Sequence, residues 1–495
     1  MRRLFEGVSV ALLAGACIAS PLDAALQATP APPKLVPIEP APALVTPPPP
    51  PPRVFPTLTA TQRAQLEAML GSSAAQGLSR GPSDAKVPAG ELSNDALIVA
   101  ALRQAQAVRA GRLDSSDFRK DWSLRPVRRD PWPSFSEALA QDRLKTWIAD
   151  LPPPYVGYDG LRKGLAEYRA IEANGGWQTL AAGPDLTIGA KGERVAALRK
   201  RLRIEDKALT GESATFDQDL LDAVRRAQRR YGLNPSGVVS SQTLAALNVS
   251  AGDRVRQIMA NMERWRWLPQ TLAPVRVQVN IAAAVLTVFD GDTPVASMRA
   301  VTGRPGDETP MLQSSIHSIV INPPWNVPTS IAARELWPKE RANPGYLKRN
   351  GFKVISLADG GNRLQQSAGP QSALGRLKFD FDNNFSVYLH DTPSQATFAR
   401  YSRLASHGCV RLEKPVALAN LLLKGDPKWG DGGVEAAIAK GDTVRARLPR
   451  PVAVYLFYWT AFASADGQMN FRADPYNWDG LLASKIEARG RLAAR

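Results

Sequence analysis

The spacing of apolar residues changes once along this chain of 495 residues, and that change limits the folds open to it. Upstream of Trp265, apolar residues recur every three or four positions, which is the spacing of amphipathic helices. Downstream, apolar and polar residues alternate in 275–279, 285–289 and 295–301, which is the period of half-buried strands. The sequence therefore predicts an α+β multi-domain protein, helical in its first part and mainly antiparallel β in its second.

The N-terminal segment has an export pattern. Residues 1–25 are predicted to be a signal peptide, because Arg2 and Arg3 precede an apolar run shorter than the roughly 20 residues that span a bilayer. Residues 26–57 contain six consecutive prolines and are predicted to be a Pro-rich linker. We therefore expect an exported protein of the periplasm or cell envelope. Lipidation of Cys17 is the alternative, and it would make the protein membrane-associated.

The remaining sequence divides into segments by composition and period. A helical scaffold domain is predicted over 58–180 and a small three-helix domain over 181–250. The β domain is predicted over 274–449. Within it, about 323–382 is rich in Pro, Gly and Trp and is predicted to be an inserted cap, because structureless loops of this length are unusual unless functional. A C-terminal extension, 450–495, is expected to pack on the scaffold or on the β domain.

The chain is strongly basic, with a formal net charge of +16 and a pI of about 10.0. In a cytosolic protein this balance would favour nucleic acid as a partner, but the export pattern argues against it. An acidic partner outside the cytoplasm fits better, either cell-wall peptides with free carboxylates or an anionic membrane surface. An arginine-rich solvated surface with no specific partner is the alternative.

Ser406-His407-Gly408-Cys409 brings a cysteine and a histidine together in a chain that has two cysteines and three histidines. A second histidine, His390, lies nearby in the sequence. Removal of the leader would leave Cys409 as the only thiol, and an odd thiol in an exported protein is a candidate nucleophile. A thiol reacts as the thiolate, which a nearby imidazole generates by accepting the proton. Gly408 permits close backbone approach, so loop amides at 407–409 are candidate oxyanion donors.

Four further residues are candidates for supporting roles. Alternation in 385–390 predicts a strand that places Tyr388 on the same face as His390, where it is a candidate for binding substrate or positioning His390. The planar guanidinium of Arg411 suits a carboxylate. Ser406 is predicted to form loop hydrogen bonds, and His407 either fixes the loop or transfers protons. A zinc site of His390, His407 and Cys409 is an alternative that lacks an accompanying carboxylate or second cysteine.

The segment "HDTPSQATFARYSRLASHGCVRL" resembles the active-site signature of the YkuD-type L,D-transpeptidases. The segments "INPPWNVPTSIAAREL" and "PVAVYLFYWTAFASADGQMNFRADPYNWD" resemble the large, multi-domain YcbB type. Residues of about 188–248, with "AVRRAQRRYGL" and "GVVSSQTLAALN", resemble the peptidoglycan-binding domain type 1 family. This resemblance implies an L,D-transpeptidase catalytic domain with no metal and no cofactor, beside a domain that binds the cell wall.

The resemblance also implies a reaction and roles for the residues. Cys409 would attack the carbonyl at the L-centre of diaminopimelate in a peptidoglycan tetrapeptide stem, release D-Ala and form a thioester. His390 would be the base, and a second stem amine would resolve the thioester to a 3-3 cross-link. Carbapenem acylation is implied, with stem peptides and other cell-wall synthesis proteins as partners. An L,D-carboxypeptidase, a transferase that tethers proteins to the wall and a non-catalytic wall-binding scaffold remain alternatives.

Overall fold

The computed structural model describes residues 53–79, 92–357 and 361–493. The predicted signal peptide, Cys17 and most of the predicted Pro-rich linker lie outside these ranges. All the elements below belong to a unit that spans Phe55–Arg495. Within the described ranges, every helix is too short or too polar to cross a bilayer.

Nine helices occupy the described chain before the first strand. They are α1 (Ala60–Gly71), α2 (Asn94–Ala110), α3 (Trp132–Ala140), α4 (Leu144–Ala149), α5 (Val156–Ala173), α6 (Glu193–Arg203), α7 (Gln218–Arg230), α8 (Ser241–Leu247) and α9 (Ala251–Trp265). Helices α1 to α4 have their own apolar core, in which the rings of Phe135 and Trp147 meet at 5.2 Å. The predicted helical character of this part is confirmed.

Helices α6, α7 and α8 form the small three-helix unit. On α7 the side chains of Leu220, Val224 and Ala227 are buried on one face, as their spacing predicts. Just after α6, Glu205 accepts hydrogen bonds from Arg201 at 2.7 Å and from Tyr231 at 2.5 Å. These donors, with Tyr168 of α5, outweigh burial and hold the pKa of Glu205 at about 2. A charged network therefore fastens the three-helix unit to α5.

Fourteen strands and six further helices follow. They are β1 (Val275–Asn280), β2 (Val285–Asp290), β3 (Thr293–Gly303), β4 (Leu312–Ile321), β5 (Trp325–Asn326), α10 (Thr329–Ile331), α11 (Trp337–Ala342), α12 (Tyr346–Arg349), β6 (Phe352–Ser356), β7 (Asn362–Gln366), β8 (Leu377–Phe381), β9 (Leu389–His390), β10 (Leu404–Ser406), β11 (Val410–Leu412), α13 (Pro415–Leu422), α14 (Gly433–Lys440), β12 (Val444–Phe457), β13 (Ala461–Ala463), β14 (Met469–Phe471) and α15 (Trp478–Ala493). A π-helical turn, Ala332–Leu336, joins α10 to α11.

Nine strands pair in the order β10-β3-β11-β9-β8-β4-β12-β1-β2, and β2 also pairs with β3. The pairs β1–β12, β3–β10 and β9–β11 are parallel, and the other pairs in this sheet are antiparallel. The predicted, mainly antiparallel β domain is confirmed. Strands β9 and β11 lie side by side in this sheet, and they carry the histidine and the segment after the cysteine.

The insertion is a folded subdomain, which we call the cap. Strands β5, β7 and β6 form a separate sheet, and the cap has its own apolar cluster of Val327, Leu336, Leu347 and Leu364. The predicted range 323–382 is too long, because β8 lies in the main sheet between β4 and β9. Leu377, Phe379 and Phe381 are buried in alternation, so this strand has its own period-two signal.

The predicted boundary between 449 and 450 is wrong, because β12 runs through it from Val444 to Phe457. A register shift between Arg447 and Val452 interrupts its pairing with β4 around Pro449 and Pro451. Proline cannot donate to a ladder, so such residues are found at bulges. After the strand, α15 packs on α9, and Arg489 donates to Asp117 of the scaffold at 2.8 Å.

Candidate active site

The parallel pairing of β9 and β11 brings the sequence-predicted residues together. Leu389 is opposite Val410, and His390 is opposite Arg411. The Val410 amide donates to the Tyr388 carbonyl at 3.1 Å. Because side chains alternate across a strand, His390 and Arg411 project to one face of the sheet, and Cys409 enters the strand beside Tyr388.

The turn before β9 differs from the predicted strand 385–390. Only Leu389–His390 is a strand, and Ser386 has a positive φ of 55°, which is unusual outside glycine. The side chain of Asn383 stabilises this turn by accepting from the amides of Phe385 and Val387. The predicted proximity of Tyr388 and His390 is nonetheless present, with ring centroids 5.6 Å apart. The Cys409 thiol points to the Ser386 carbonyl at 3.9 Å.

The loop that carries Cys409 is held by side-chain hydrogen bonds. Ser406 Oγ donates to the Cys409 carbonyl at 2.6 Å and accepts from the Gly408 amide at 3.2 Å. Thr309 Oγ1 donates to the Gly408 carbonyl at 2.7 Å. Gly408 has a φ of +108°, a region that side chains with a Cβ rarely adopt. Of the three predicted oxyanion donors, the Gly408 amide is thus already engaged within the loop.

The hydrogen bond of His390 defines which ring nitrogen is free. Nδ1 lies 2.5 Å from the Asp391 carbonyl oxygen, which can only accept, so Nδ1 carries the proton. Nε2 therefore presents its lone pair. Burial, together with the positive charges of Arg411 and Lys378, outweighs the hydrogen bond to the Asp391 carbonyl and lowers the pKa of His390 to about 3. The imidazole is therefore neutral at physiological pH, with Nε2 unprotonated.

Burial also controls the charge state of the thiol. It raises the pKa of Cys409 above the usual thiol value, while hydrogen bonds from the backbone and side chain of Tyr388 oppose this rise. Lys378 and Arg411 also favour the thiolate. The opposing groups are weaker than burial, so the resting pair is a neutral thiol beside a neutral imidazole.

Two residues that no sequence pattern singled out contact Tyr388, one over its ring and one at its hydroxyl. Lys378 Nζ lies 4.4 Å from the centre of the Tyr388 ring, and Trp325 of the cap donates to the Tyr388 hydroxyl. The hydroxyl also contacts Cys409, and burial raises its pKa, so it stays protonated. Trp325 lies 84 positions before Cys409, and Lys378 lies 31 positions before it. Only the fold brings these two residues near Tyr388.

Arg411 is half-buried beside the same face. Burial lowers the pKa of its guanidinium, and within the described ranges its Nε has no hydrogen-bond partner. It forms no ion pair in this part of the chain. A guanidinium placed in this way has donors available for a carboxylate.

His407 points away from the thiol, to the cap. Its Nε2 lies 2.6 Å from Glu335 Oε1, and Arg304 lies 3.3 Å from the same oxygen. Asp307 bridges Arg304 and Arg334, each at 2.8 Å. Glu335 lies within the segment "INPPWNVPTSIAAREL", 72 residues before His407, and no sequence pattern pairs these two residues. These contacts connect the catalytic loop to the cap.

The other candidates form no metal site in the described ranges, where no group of three or more His, Cys, Asp and Glu could hold an ion. The third histidine is His317, on β4. Its Nδ1 lies 3.1 Å from Ser318 Oγ and its Nε2 3.6 Å from Asp382. No contact connects it to Cys409 in this part of the chain.

Three family models match the chain at separate segments. Residues 274–429 match the YkuD L,D-transpeptidase catalytic domain, 191–247 match the "Putative peptidoglycan binding domain", and 57–165 match a scaffold domain. The protein is therefore of a multi-domain class that combines a wall-binding-type unit with an acyl-transfer fold. It carries a YkuD L,D-transpeptidase catalytic domain, and the resemblance found in the sequence is confirmed.

A curated relative from Haemophilus influenzae, "Putative L,D-transpeptidase", is 31% identical over 241 residues, which are 45% of this chain and 48% of the relative. The match thus spans about half of the relative's length. Among solved structures, an L,D-transpeptidase from Xylanimonas cellulosilytica is 18% identical, with 56% of this chain and 99% of that chain covered and a TM-score of 0.19. One from Stackebrandtia nassauensis is 16% identical, with 56% and 97% covered and a TM-score of 0.24.

Proposed function

We propose that this protein is a peptidoglycan L,D-transpeptidase in which Cys409 is the nucleophile and His390 the general base. The observation that carries the proposal is the pairing of β9 and β11, which sets a thiol-bearing loop beside an imidazole whose Nδ1 is committed to the Asp391 carbonyl. Nε2 is left to accept the thiol proton. The YkuD match over the same segment supports this reading.

In the first half-reaction, Cys409 Sγ forms a bond to the carbonyl carbon at the L-centre of diaminopimelate. The thiol proton moves to His390 Nε2 and then to the leaving amine, so that D-Ala departs and a thioester remains. The amides of His407 and Cys409 are the remaining candidates for the oxyanion, each worth about 3 kcal/mol by analogy with measured oxyanion donors. Arg411 would bind a stem carboxylate and Tyr388 would position the thiol.

In the second half-reaction, the side-chain amine of another stem attacks the thioester. His390 accepts the proton of this amine and returns it to the departing thiolate, which gives a 3-3 cross-link and restores the resting pair. Water as acceptor would give an L,D-carboxypeptidase, and a protein lysine would give a protein tethered to the wall. Because peptidoglycan lies outside the cytoplasm, the proposal includes export to the periplasm or cell envelope. Acylation of Cys409 by carbapenems is part of the same proposal.

Incubation of the purified chain with defined tetrapeptide stems tests this function. We expect release of D-Ala and a dimeric product with the mass of a 3-3 cross-link, and loss of both in Cys409→Ala and His390→Gln. His317→Gln is the matched control, since it removes a histidine that has no contact with the site. Hydrolysed stems alone would establish a carboxypeptidase. Unchanged products from Cys409→Ala, or no product from the wild type, would exclude the proposed mechanism and favour a non-catalytic scaffold.

A further inference from the structure

A cleft of about 530 Å³ lies where the three-helix unit, the β domain and the C-terminal extension meet. Its volume falls in the range of roughly 300 to 1,000 Å³ that is common for ligand sites. One wall is the end of α7 and the turn after it, and another is 398–404, the segment that continues into β10 and the Cys409 loop. The cleft is therefore built from the wall-binding-type unit and from the approach to the proposed active site.

The lining of this cleft contains five arginines and no acidic residue: Arg229, Arg299, Arg400, Arg403 and Arg472. Arg299 has an ion pair with Glu413. None of the other four forms an ion pair within the described part of the chain. Clefts with one sign of charge and low-dielectric walls attract ligands of the opposite sign.

Two of these arginines are held in place by neutral groups. Arg403 donates to the carbonyls of Ala300 at 3.2 Å and Ala283 at 3.1 Å. Arg472 donates to the Arg230 carbonyl at 3.1 Å and packs on Gly232, whose positive φ of 65° closes the end of α7. Carbonyl oxygens satisfy hydrogen bonds but do not cancel charge. Burial lowers the pKa of both guanidiniums, and so does repulsion, from Arg299 on Arg403 and from Arg403 on Arg472. An anionic ligand would relieve this repulsion.

We propose that this arginine cleft binds a carboxylate-bearing peptide stem of a peptidoglycan strand, outside the site of bond exchange. The planar guanidinium binds carboxylates in a bidentate way, and the cleft offers several in one space. Two of its walls come from the segments that match the putative peptidoglycan binding domain and the L,D-transpeptidase catalytic domain. The identity of the ligand rests on the proposed function, whereas the preference for an anion rests on the cleft itself.

The test measures binding, in a Cys409→Ala background, of a glycan fragment whose stem has free carboxylates. Arg229 and Arg400 are exposed, so the double variant R229Q/R400Q is expected to fold and to bind about tenfold more weakly, as the loss of two partly screened contacts implies. R225Q/K424Q is the matched control, because it removes the same charge outside the cleft, and it should bind like the parent. R229K/R400K should recover part of the affinity.

Three probes separate the sources of negative charge. The same fragment with amidated carboxylates should bind the parent about tenfold more weakly, like the double variant. Equal affinity for amidated and free stems, or equal binding by R229Q/R400Q and R225Q/K424Q, would overturn the inference. If R229Q/R400Q lost binding to phosphatidylglycerol vesicles or to inorganic phosphate but bound the stem like the parent, the cleft would be a phosphate site. That result would also overturn the inference. D-Ala release by the chain with an intact Cys409 is a separate readout. It distinguishes failure of the proposed function from failure of this inference.

Discussion

At the scale of single residues, the active-site pair is set by one backbone contact and by burial. The Asp391 carbonyl fixes the tautomer of His390, and burial keeps both His390 and Cys409 uncharged at rest. At rest the two side chains are thus a thiol and a neutral imidazole, not a thiolate and an imidazolium. In the proposed mechanism, the thiolate would form only when substrate binds, which would protect the thiol from unrelated electrophiles.

The reactivity of Cys409 toward iodoacetamide should show this directly. Because burial raises the pKa of the thiol, the alkylation rate should keep increasing with pH beyond the ordinary thiol value, with no plateau near neutrality. Tyr388→Phe removes a hydrogen bond that lowers this pKa, and it should slow alkylation at a fixed pH. The rate is measured by intact mass between roughly pH 6 and about pH 10, a range that brackets the ordinary pKa of a thiol. A plateau at neutral pH would show a preformed thiolate.

Stability toward acid should depend on His390. The folded-state pKa of about 3 lies below the unfolded value of roughly 6.5, so the unfolded chain binds the extra proton and stability decreases as pH falls through this window. Between pH 7 and about 4.5 the wild type should lose about 2 kcal/mol more than His390→Gln. Urea unfolding at both pH values measures the difference. Equal losses in the two proteins would contradict the buried neutral state, and His317→Gln serves as the control.

At the scale of elements, the sheet presents the site and the cap closes on it. The strand register of β9 and β11 places His390 and Arg411, while the cap reaches the site through Trp325 and Glu335. The π-helical turn that carries Glu335 is in the cap, and π-turns recur at functional positions.

Removal of the charge on Glu335 should loosen the cap. The Glu335–His407 contact is partly exposed, so Glu335→Gln should cost below about 1 kcal/mol in global stability. Hydrogen exchange should nevertheless accelerate in 332–347, because this contact joins the π-turn to the catalytic loop. Glu435→Gln, on α14, is the control and should leave the cap unchanged. Unaltered exchange in Glu335→Gln would show that the cap is held by its apolar cluster alone.

Sequence periodicity predicted β1, β2, β3 and the face of α7 because their signals are local. It failed at β12, where Pro449 and Pro451 look like a boundary, and at Ser386, whose positive φ no alternation predicts. The sequence predicted those site residues that lie close to one another along the chain. Lys378 and Glu335 were missed because their positions depend on long-range folding, for which hydrophobic period carries no information.

At the scale of the whole unit, α9 connects the helical part to the β domain. Its residue Glu263 is fully buried, pairs with Arg266 at 2.9 Å and accepts from the Arg112 amide at 2.8 Å. Arg266 also donates to the Val108 carbonyl at 3.2 Å, at the end of α2. The scaffold and the helix that precedes the sheet are therefore joined by one charged network.

Glu263→Gln should destabilise the fold by about 3 kcal/mol, because it leaves the Arg266 charge buried without its carboxylate. Thermal unfolding at constant pH measures this, and Glu167→Gln, at an exposed position of α5, is the matched control. A loss equal to that of the control would show that the buried pair contributes only packing.

Trapping the acyl-enzyme tests whether Cys409 is the nucleophile. The wild-type chain is mixed with a defined tetrapeptide stem, quenched in acid and mapped by peptide mass. We predict one adduct with the mass of the stem minus D-Ala, located on Cys409, formed together with free D-Ala and absent from Cys409→Ala. An adduct on any other residue, or D-Ala released by Cys409→Ala, would contradict the account.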